Sequence, residues 1–289
     1  MKIATHNNLF HADEVFALAI LKMIYPDTIL IRTRDSARLQ EADIRVDVGG
    51  KYDSEGGDFD HHQAEFDLKR ENGIPYASAG LIWKHFGGKV AGKEVVDYIE
   101  KELIQQIDAN DTGFDTYSIN VCKPYTISDF IKSLNPSWSE QSEESFNRNF
   151  EDAVLIATKL LRQEIKRAEE VINAKNKIIL KINESDKEYI ILEGRIPWKE
   201  TVVENSDLKY VISYDKIEDN WAILAVPISM NSFENRKDLP AEWGGLFNKD
   251  LQKITGVKDA IFCHKKLFFA ISKSKEGAIK LVEIALGKK

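Results

Sequence analysis

The amino-acid sequence predicts an α/β fold, with a doubly wound, mostly parallel sheet in the N-terminal half and a smaller α+β domain in the C-terminal half. In the first half, short β-branched runs alternate with helical stretches, an order typical of parallel sheets. A long stretch of helical periodicity then precedes a second half of short strands. The 289 residues are enough for two domains with separate cores.

In the N-terminal half, apolar runs predict three strands at residues 2–5, 28–33 and 44–50. A helix is expected to begin near His11 and to end before Pro26, because proline cannot continue a helix. Helical spacing of apolar residues predicts further helices at residues 77–86 and 90–107. Ligands of such sheets bind outside the carboxyl ends of the parallel strands.

In the C-terminal half, apolar residues recur at helical spacing from residue 146 to residue 172. Strands are predicted after it at residues 178–182, 188–192, 210–214 and 221–226. Helices are predicted at residues 201–205, 245–256 and 277–286. We therefore predict a catalytic domain over residues 1–145, a linking helix over 146–177 and a substrate-binding domain over 178–289.

Composition excludes several classes of protein. The formal net charge is −7, so no overall basic field attracts nucleic acid or an anionic membrane. With only two cysteines, a disulfide scaffold is not expected. The N-terminus turns polar too soon for a signal peptide, and no apolar run is long enough to span a bilayer. The expectation is a cytoplasmic protein without a membrane contact.

The segment Phe59-Asp60-His61-His62-Gln63 is the strongest candidate for a functional site. At the end of a strand, three metal-binding groups of such a segment can converge on one pocket, and His with Asp suits Mn, Zn or Fe better than Ca. The alternative is a solvated acidic turn. His6 and Asp47 also fall at predicted strand ends, and an aspartate within an apolar strand is costly unless it is paired or metal-bound.

Further candidates are less specific. His11 and Asp13 lie where the first helix begins, although acidic residues in a first turn also complement the helix dipole. Asp108 and Asp111 lie in IDANDTG, which equally describes a helix C-terminal turn. Bridging carboxylates allow two cations about 3.5–4 Å apart, the spacing of two-metal phosphoryl-transfer sites.

These residues resemble the DHH phosphoesterases, and more closely the melanocyte proliferating gene one family of metal-dependent hydrolases. The similarity is carried by THNNLFHADEVF, VDVGGKY, FDHHQAEF and IDANDTG, and by LPAEW in the second half. It implies a DHH-like catalytic domain and a nuclease that cleaves short or single-stranded RNA or DNA by a two-metal mechanism. Hydrolysis of a small phosphorylated metabolite or nucleotide is the alternative substrate class, and a metal-binding regulatory protein without turnover is the alternative to an enzyme.

The resemblance also implies roles for particular residues. Catalytic roles would fall to Asp60 and His62, and His62 would also contact phosphate. Two divalent cations are expected, with Mn²⁺ favoured and Mg²⁺, Zn²⁺ or Co²⁺ as alternatives. A homodimer is compatible with this assignment. The implied metal ligands are His6, His11, Asp13, Asp47, Asp60, His61 and Asp108, with Asp111 as the alternative to Asp108.

An acidic protein needs local cations to hold an anionic substrate. The candidates for substrate binding, besides His62, are Arg32, Arg34, Arg236, His264 and Lys265. The alternative for the arginines is simple pairing with nearby carboxylates such as Asp35 and Asp238, which contributes little. The sequence also departs from the family near His264, because the glycine pair expected after the histidine is replaced by two lysines. Backbone cradling of a phosphate at that loop is therefore in doubt.

Overall fold

The computed structural model describes residues 1–288 and contains two five-stranded mixed sheets with helices, an α/β architecture. Its residues divide into two compact units, one from Met1 to Glu169 and the second from Glu170 onward. The predicted boundaries at residues 145 and 177 stay predictions. The doubly wound arrangement of the first sheet stays a prediction as well.

The first sheet lies in the N-terminal unit and is built from short strands. Their bounds are β1 Lys2–Thr5, β2 Ile29–Arg32, β3 Ile44–Val46, β4 Tyr52–Asp53 and β5 Asp58–Phe59. In the spatial order β2-β1-β3-β5-β4, the first four strands pair in parallel and β4 pairs antiparallel to β5. The carboxyl ends of β1, β3 and β5 therefore lie side by side at one edge of the sheet.

Six α-helices also lie entirely within the N-terminal unit. Their bounds are α1 Ala12–Ile24, α2 Ser36–Leu39, α3 Ser78–Phe86, α4 Lys93–Ile99, α5 Gln105–Asp111 and α6 Ile127–Ser133. A π-helical segment, Glu100–Ile104, joins α4 to α5. Helix α1 is buried from Ala12 to Leu21, and its buried residues include the charged Asp13 and Glu14. Because buried charge requires partners, the first turn of α1 must make polar contacts as well as apolar ones.

A single long helix, α7, runs from Glu143 to Glu184. The prediction of a strand at residues 178–182 was therefore wrong. Ile178 and Ile182 are four residues apart on one helical face, and both pack in a cluster with residues of the second sheet. A short apolar run is compatible with either a strand or a helix. Here a helix forms, and it places Ile178 and Ile182 on one face against the second sheet.

The second unit contains the other sheet. Its strands are β6 Tyr189–Leu192, β7 Tyr210–Asp215, β8 Asn220–Ala225, β9 Ala260–Cys263 and β10 Phe269–Ser272, and its helices are α8 Lys199–Asn205, α9 Asn248–Thr255 and α10 Lys275–Leu286. The spatial order is β6-β7-β8-β10-β9, with only β6 and β7 parallel. Strands β9 and β10 were not predicted, because the stretch around His264 was interpreted as a substrate loop. The two-residue strands β4 and β5 of the first sheet were not predicted either.

Within residues 1–288, every helix is too short or too polar to cross a membrane. The long helix α7 is the nearest in length, but charged side chains recur throughout it. The two cysteines do not pair: Cys122 is exposed and Cys263 is buried in the second unit.

Candidate metal centre

Three neighbouring strands each deliver a histidine or an aspartate to the same edge of the first sheet. His6 follows β1, Asp47 follows β3 and Asp60 follows β5. Because these strands are adjacent and parallel, their carboxyl ends bring together residues that are far apart in sequence. The first turn of α1 and the last turn of α5 complete the same region.

Asp47 occupies the middle of this region. Its φ is +54°, a left-handed conformation that aspartate tolerates better than most residues, and its side chain is almost fully buried. One carboxylate oxygen lies 3.2 Å from Nε2 of His6. The other lies 3.4 Å from Nε2 of His61 and 3.3 Å from Nδ1 of His62. Asp47 therefore bridges two sets of side chains.

The first set is formed by His6, His11, Glu14 and Asp47. Each of these residues offers one ligand atom, and the four atoms lie within 4.8 Å of one another. Oε1 of Glu14 lies 2.9 Å from Nε2 of His6 and accepts a hydrogen bond from the backbone amide of His11. This is a donor set of two imidazoles and two carboxylates, which suits Mn, Fe or Zn.

The second set includes His61, Asp13 and Asp111. Nε2 of His61 lies 3.2 Å from Asp111 and 3.8 Å from Asp13, and these three residues again offer atoms within 4.8 Å of one another. His61 also forms a group of the same kind with Asp47 and His62. Because Asp47 belongs to the groups on both sides, the geometry offers two neighbouring positions for a cation.

Several buried polar atoms of the centre have no hydrogen-bond partner in the described residues. They are Oε2 of Glu14, Oδ1 of Asp47 and Nε2 of His61. Leaving such atoms unpaired in a protein interior is costly, so these atoms are suited to further binding. Divalent cations fit this donor set, because they would satisfy the oxygens and the imidazole nitrogen together.

Without a cation, the carboxylates act on the histidines. Burial lowers the pKa of His6, but Asp47 and Glu14 outweigh it and raise that pKa to about 10. Burial of His61 is likewise outweighed by Asp111 and Asp47, so its pKa rises to about 11. Burial and the neighbouring Asp111 and Asp47 also raise the pKa of Asp13. The dense group of carboxylates therefore favours the protonated forms of His6, His61 and Asp13.

Asp60 lies beside the cluster but its oxygens have other partners. Oδ1 lies 2.8 Å from Nδ1 of His62 and accepts from the amide of the same residue, and Oδ2 accepts from the amide of Gly50 at 2.6 Å. The hydrogen bond that Nδ1 of His62 donates to the carboxylate of Asp60 raises the pKa of His62. The side chain of His62 is 61% exposed, so its other ring nitrogen is accessible. This arrangement makes Asp60 a residue that orients His62.

Asp108 is directed away from the cluster. Oδ2 pairs with Nη2 of Arg70 at 2.7 Å, and Oδ1 accepts from the amide of Gly80 at 2.9 Å. The metal-binding groups include Asp111, one helical turn further along, and exclude Asp108. Asp13 contributes to the same helix end, since its oxygens accept from the amides of Ser78 and Ala79. The two aspartates thus satisfy the free amides at the buried start of α3.

The basic side chains that were predicted to bind substrate differ in whether their hydrogen-bond donors are already used within the protein. Arg32 is buried, donates to backbone oxygens of His6, Asn8 and Phe146, and stacks on Phe150. Burial lowers its pKa to about 10. Its donors are used inside the protein, contrary to the expected contact with substrate. Arg34 is exposed, lines the cavity at the centre and donates only to Asn7.

The predicted substrate residues of the second unit also differ among themselves. Arg236 donates to the carbonyls of Val203, Ser206 and Leu208, and so closes the C-terminal end of α8. Nδ1 of His264 accepts from the amide of Lys266. Lys265 is exposed. The guanidinium of Arg236 therefore has a structural use, whereas the lysine remains free to bind an anion.

A cavity of about 1120 Å³ opens over the centre. Its walls come from the N-terminal unit alone and carry both the clustered acids and several cations. The cations that line it are Arg34, Arg45, Lys51 and Lys132. Arg45 pairs with Asp58, and Lys51 lies near Asp53 and Asp58, whereas Arg34 and Lys132 are exposed. An anionic ligand in this cavity would meet both a metal-binding floor and a partly basic wall.

The sequence did not single out Glu14 as a metal ligand or Arg70 as the partner of Asp108. Glu14 follows Asp13 directly, and its place in a first helical turn was explained by the helix dipole alone. Its full burial is a property of the packed helix, and burial is what makes the carboxylate informative. The sequence signal that could have identified it is the occurrence of this glutamate in THNNLFHADE, a short segment that also contains His6 and His11.

The fold and the centre together define an α/β protein with a candidate metal site at the carboxyl ends of parallel strands. The chain matches the model of the family described as "Uncharacterised protein family (UPF0160)", labelled as the MYG1 exonuclease family, over residues 2–286. It belongs to this family.

Relatives from distant eukaryotes match along nearly the full length of the chain. It is 30% identical to the MYG1 protein of Dictyostelium discoideum over 96% of this chain and 94% of the relative. It is 31% identical to the MYG1 protein YER156C of Saccharomyces cerevisiae, over 99% of this chain and 95% of the relative. The protein called MYG1 exonuclease in Homo sapiens is 28% identical, over 100% of this chain and 86% of the relative.

Proposed function

We propose that this protein is a metal-dependent phosphoesterase, and more specifically an exonuclease acting on short or single-stranded RNA or DNA. One observation carries the proposal: the buried carboxylate of Asp47 is shared between two groups of metal-binding side chains. A shared carboxylate is how two-metal phosphoesterases hold their cations next to each other. The name exonuclease given to the mammalian relatives supports the choice of nucleic acid as substrate.

The first cation would be held by His6, His11, Glu14 and Asp47. The second would be held by Asp47, His61, Asp13 and Asp111, a set that takes Asp111 in place of Asp108. Two bound cations would supply charge neutralisation on a phosphate and an activated water as nucleophile. Mn²⁺ is our favoured ion, since it accepts mixed imidazole and carboxylate ligands.

His62 is the residue best placed to act on the substrate itself. It is exposed, lines the cavity and is oriented by Asp60 through Nδ1. With Nδ1 engaged and its pKa raised, the ring is protonated more readily and can donate from Nε2 to a phosphate oxygen. Asp60 is thus a positioning residue in this scheme, and its effect is expected to pass through His62.

The cavity wall would hold the rest of the substrate. Arg34 and Lys132 add positive charge where the acids of the floor would otherwise repel a nucleic acid. A volume of about 1120 Å³ also admits a single nucleotide, so a small phosphorylated compound remains the second substrate class. The relative rates on mononucleotides and short oligonucleotides distinguish the two.

The test compares wild type with Asp47→Asn and with a matched control, Asp97→Asn. Asp97 is an exposed aspartate of α4 that pairs with Lys93 and belongs to none of the metal-binding groups. Wild type and control should release mononucleotides from an end-labelled oligonucleotide in the presence of Mn²⁺. Asp47→Asn should lose at least two orders of magnitude in rate and bind less Mn²⁺ in elemental analysis. Normal hydrolysis by Asp47→Asn would reject the proposed centre. Mn²⁺ binding without hydrolysis of any phosphoester would leave a regulatory metal protein.

A further inference from the structure

One end of the second sheet carries a group of partly exposed aromatic side chains. Ala270 of β10 and Cys263 of β9 are paired in register, and both belong to the core that includes residues of α10. Because side chains alternate along a strand, the neighbouring Phe262 and Phe269 point to the opposite face. Both remain incompletely buried there.

These two rings belong to a continuous aromatic surface. The centroid of Phe262 lies 4.7 Å from that of Phe247 and 6.3 Å from that of His264, whose ring lies 4.6 Å from Phe268. Phe247 is 58% exposed and Phe268 is 41% exposed. We call this set, formed by Phe247, Phe262, His264, Phe268 and Phe269, the aromatic surface. Isolated exposed apolar side chains are common, but contiguous exposed rings form a candidate binding surface.

Two exposed lysines lie in the turn that joins β9 to β10. Lys265 and Lys266 have only aromatic and apolar neighbours in the turn sequence HKKLF. The turn is tight: the amide of His264 donates to Phe269 and the amide of Leu267 donates to His264, each at 2.8 Å. Leu267 has a φ of +62°, and its side chain packs against the core. The turn therefore carries two exposed positive charges between His264 and Phe268, two residues whose rings belong to this surface.

We propose that this aromatic surface binds single-stranded nucleic acid, with bases stacked on Phe247 and Phe268 and phosphates paired with Lys265 and Lys266. Rings interleaved with cations are the combination that holds single strands without reading their sequence, because every base has a flat face and every nucleotide a phosphate. A protein partner would be recognised by the rings alone, and the two lysines favour an anionic occupant in a chain of net charge −7. The choice of nucleic acid rests on the proposed function.

The experiment measures binding of full-length protein to a labelled eight-residue oligothymidylate by fluorescence anisotropy. EDTA keeps the oligonucleotide intact. Phe247→Ala and Phe268→Ala remove exposed rings, and Phe233→Ala is the matched control because Phe233 is fully exposed in the same unit but outside the aromatic surface. Each of the first two variants should raise Kd about fivefold or more, and the control should leave it unchanged. Thermal unfolding verifies that all three remain folded.

An abasic oligonucleotide of the same length separates stacking from charge. Wild type should bind it at least fivefold more weakly than oligothymidylate, and Phe247→Ala should lose most of that preference. Lys265→Ala with Lys266→Ala should weaken binding of both ligands and reduce the dependence of Kd on salt.

Equal affinity of Phe247→Ala and Phe233→Ala for oligothymidylate would overturn the proposal. If Phe247→Ala instead abolished self-association in sedimentation experiments with unchanged nucleic-acid affinity, the surface would be a contact between copies of the chain. The binding experiment in EDTA reports on the aromatic surface alone, so a negative result there would not count against the metal centre. Conversely, Mn²⁺-dependent cleavage of bis-p-nitrophenyl phosphate tests that centre without any base to stack.

Discussion

Asp108 is paired with Arg70 through a contact of 2.7 Å between Oδ2 and Nη2, in a part of the protein from which water is nearly excluded. Burial raises the pKa of Asp108 to about 7, although the guanidinium of Arg70 opposes this effect. The pair, together with the amide of Gly80, consumes both oxygens. A carboxylate that was expected to hold a metal thus pairs with Arg70 and with the start of α3, whereas Asp111 belongs to a group with Asp13 and His61 that could hold a metal ion.

This relationship predicts opposite consequences for the two aspartates of α5. Asp108→Ala should lower the free energy of unfolding by about 1.5–3 kcal/mol, because it removes one of the two carboxylates, Asp108 and Glu100, that pair with the buried guanidinium of Arg70. Asp111→Ala should alter stability little and reduce Mn²⁺ affinity at least tenfold. Urea unfolding and Mn²⁺ titration of both variants separate the effects. Equal loss of Mn²⁺ affinity in the two variants, with normal stability, would contradict the assignment.

Asp60→Asn should reduce hydrolysis about 10–100-fold and leave Mn²⁺ stoichiometry unchanged, because Asp60 acts by orienting His62. Its amide can still accept from Gly50 but holds the ring of His62 less firmly. The pH profile is the informative measurement, since loss of the carboxylate should lower the pKa of His62. A complete loss of bound metal would instead make Asp60 a ligand.

Two arginines should behave differently although both were expected to bind substrate. Arg34→Ala should raise KM more than it lowers kcat, because Arg34 is exposed at the cavity and its interaction with phosphate would persist through the reaction. Arg236→Ala should leave KM unchanged and lower the free energy of unfolding by about 2 kcal/mol, since it removes charged hydrogen bonds to the end of α8. Steady-state kinetics and urea unfolding of both variants test this contrast, and a raised KM for Arg236→Ala would contradict it.

Binding of Mn²⁺ should release protons and become tighter as the pH rises from 6 to 9. In the metal-free centre, the raised pKa values of His6 (about 10) and His61 (about 11) keep both rings protonated throughout this range. A cation binds only the unprotonated nitrogen, so a proton must leave each ring on binding. For each proton displaced, the apparent association constant should rise about tenfold per pH unit. Calorimetry in buffers of different ionisation enthalpy counts the protons released. A pH-independent affinity would mean that these histidines are not ligands.

The sequence by itself determined three of the five strands of the first sheet, β1, β2 and β3, and the candidate residues at the ends of β1 and β3. Alternation of strand and helix predicted parallel neighbours, and the carboxyl ends of parallel neighbours must meet at one edge. His6 and Asp47 could therefore be connected before any distance was known. The motifs that carried the resemblance also placed the chain in its family, which the full-length match then established.

Only the tertiary structure decided which polar atoms are already paired. Arg32, Asp60, Asp108 and Arg236 are chemically suited to metal or phosphate, but each has its donors or acceptors occupied by partners distant in sequence. Glu14 shows the converse, since a carboxylate typical of a helix start becomes a candidate ligand when packing of α1 buries it. Residue type limits what a side chain can bind. Whether it is free to bind depends on long-range contacts, and local sequence patterns carry little information about those.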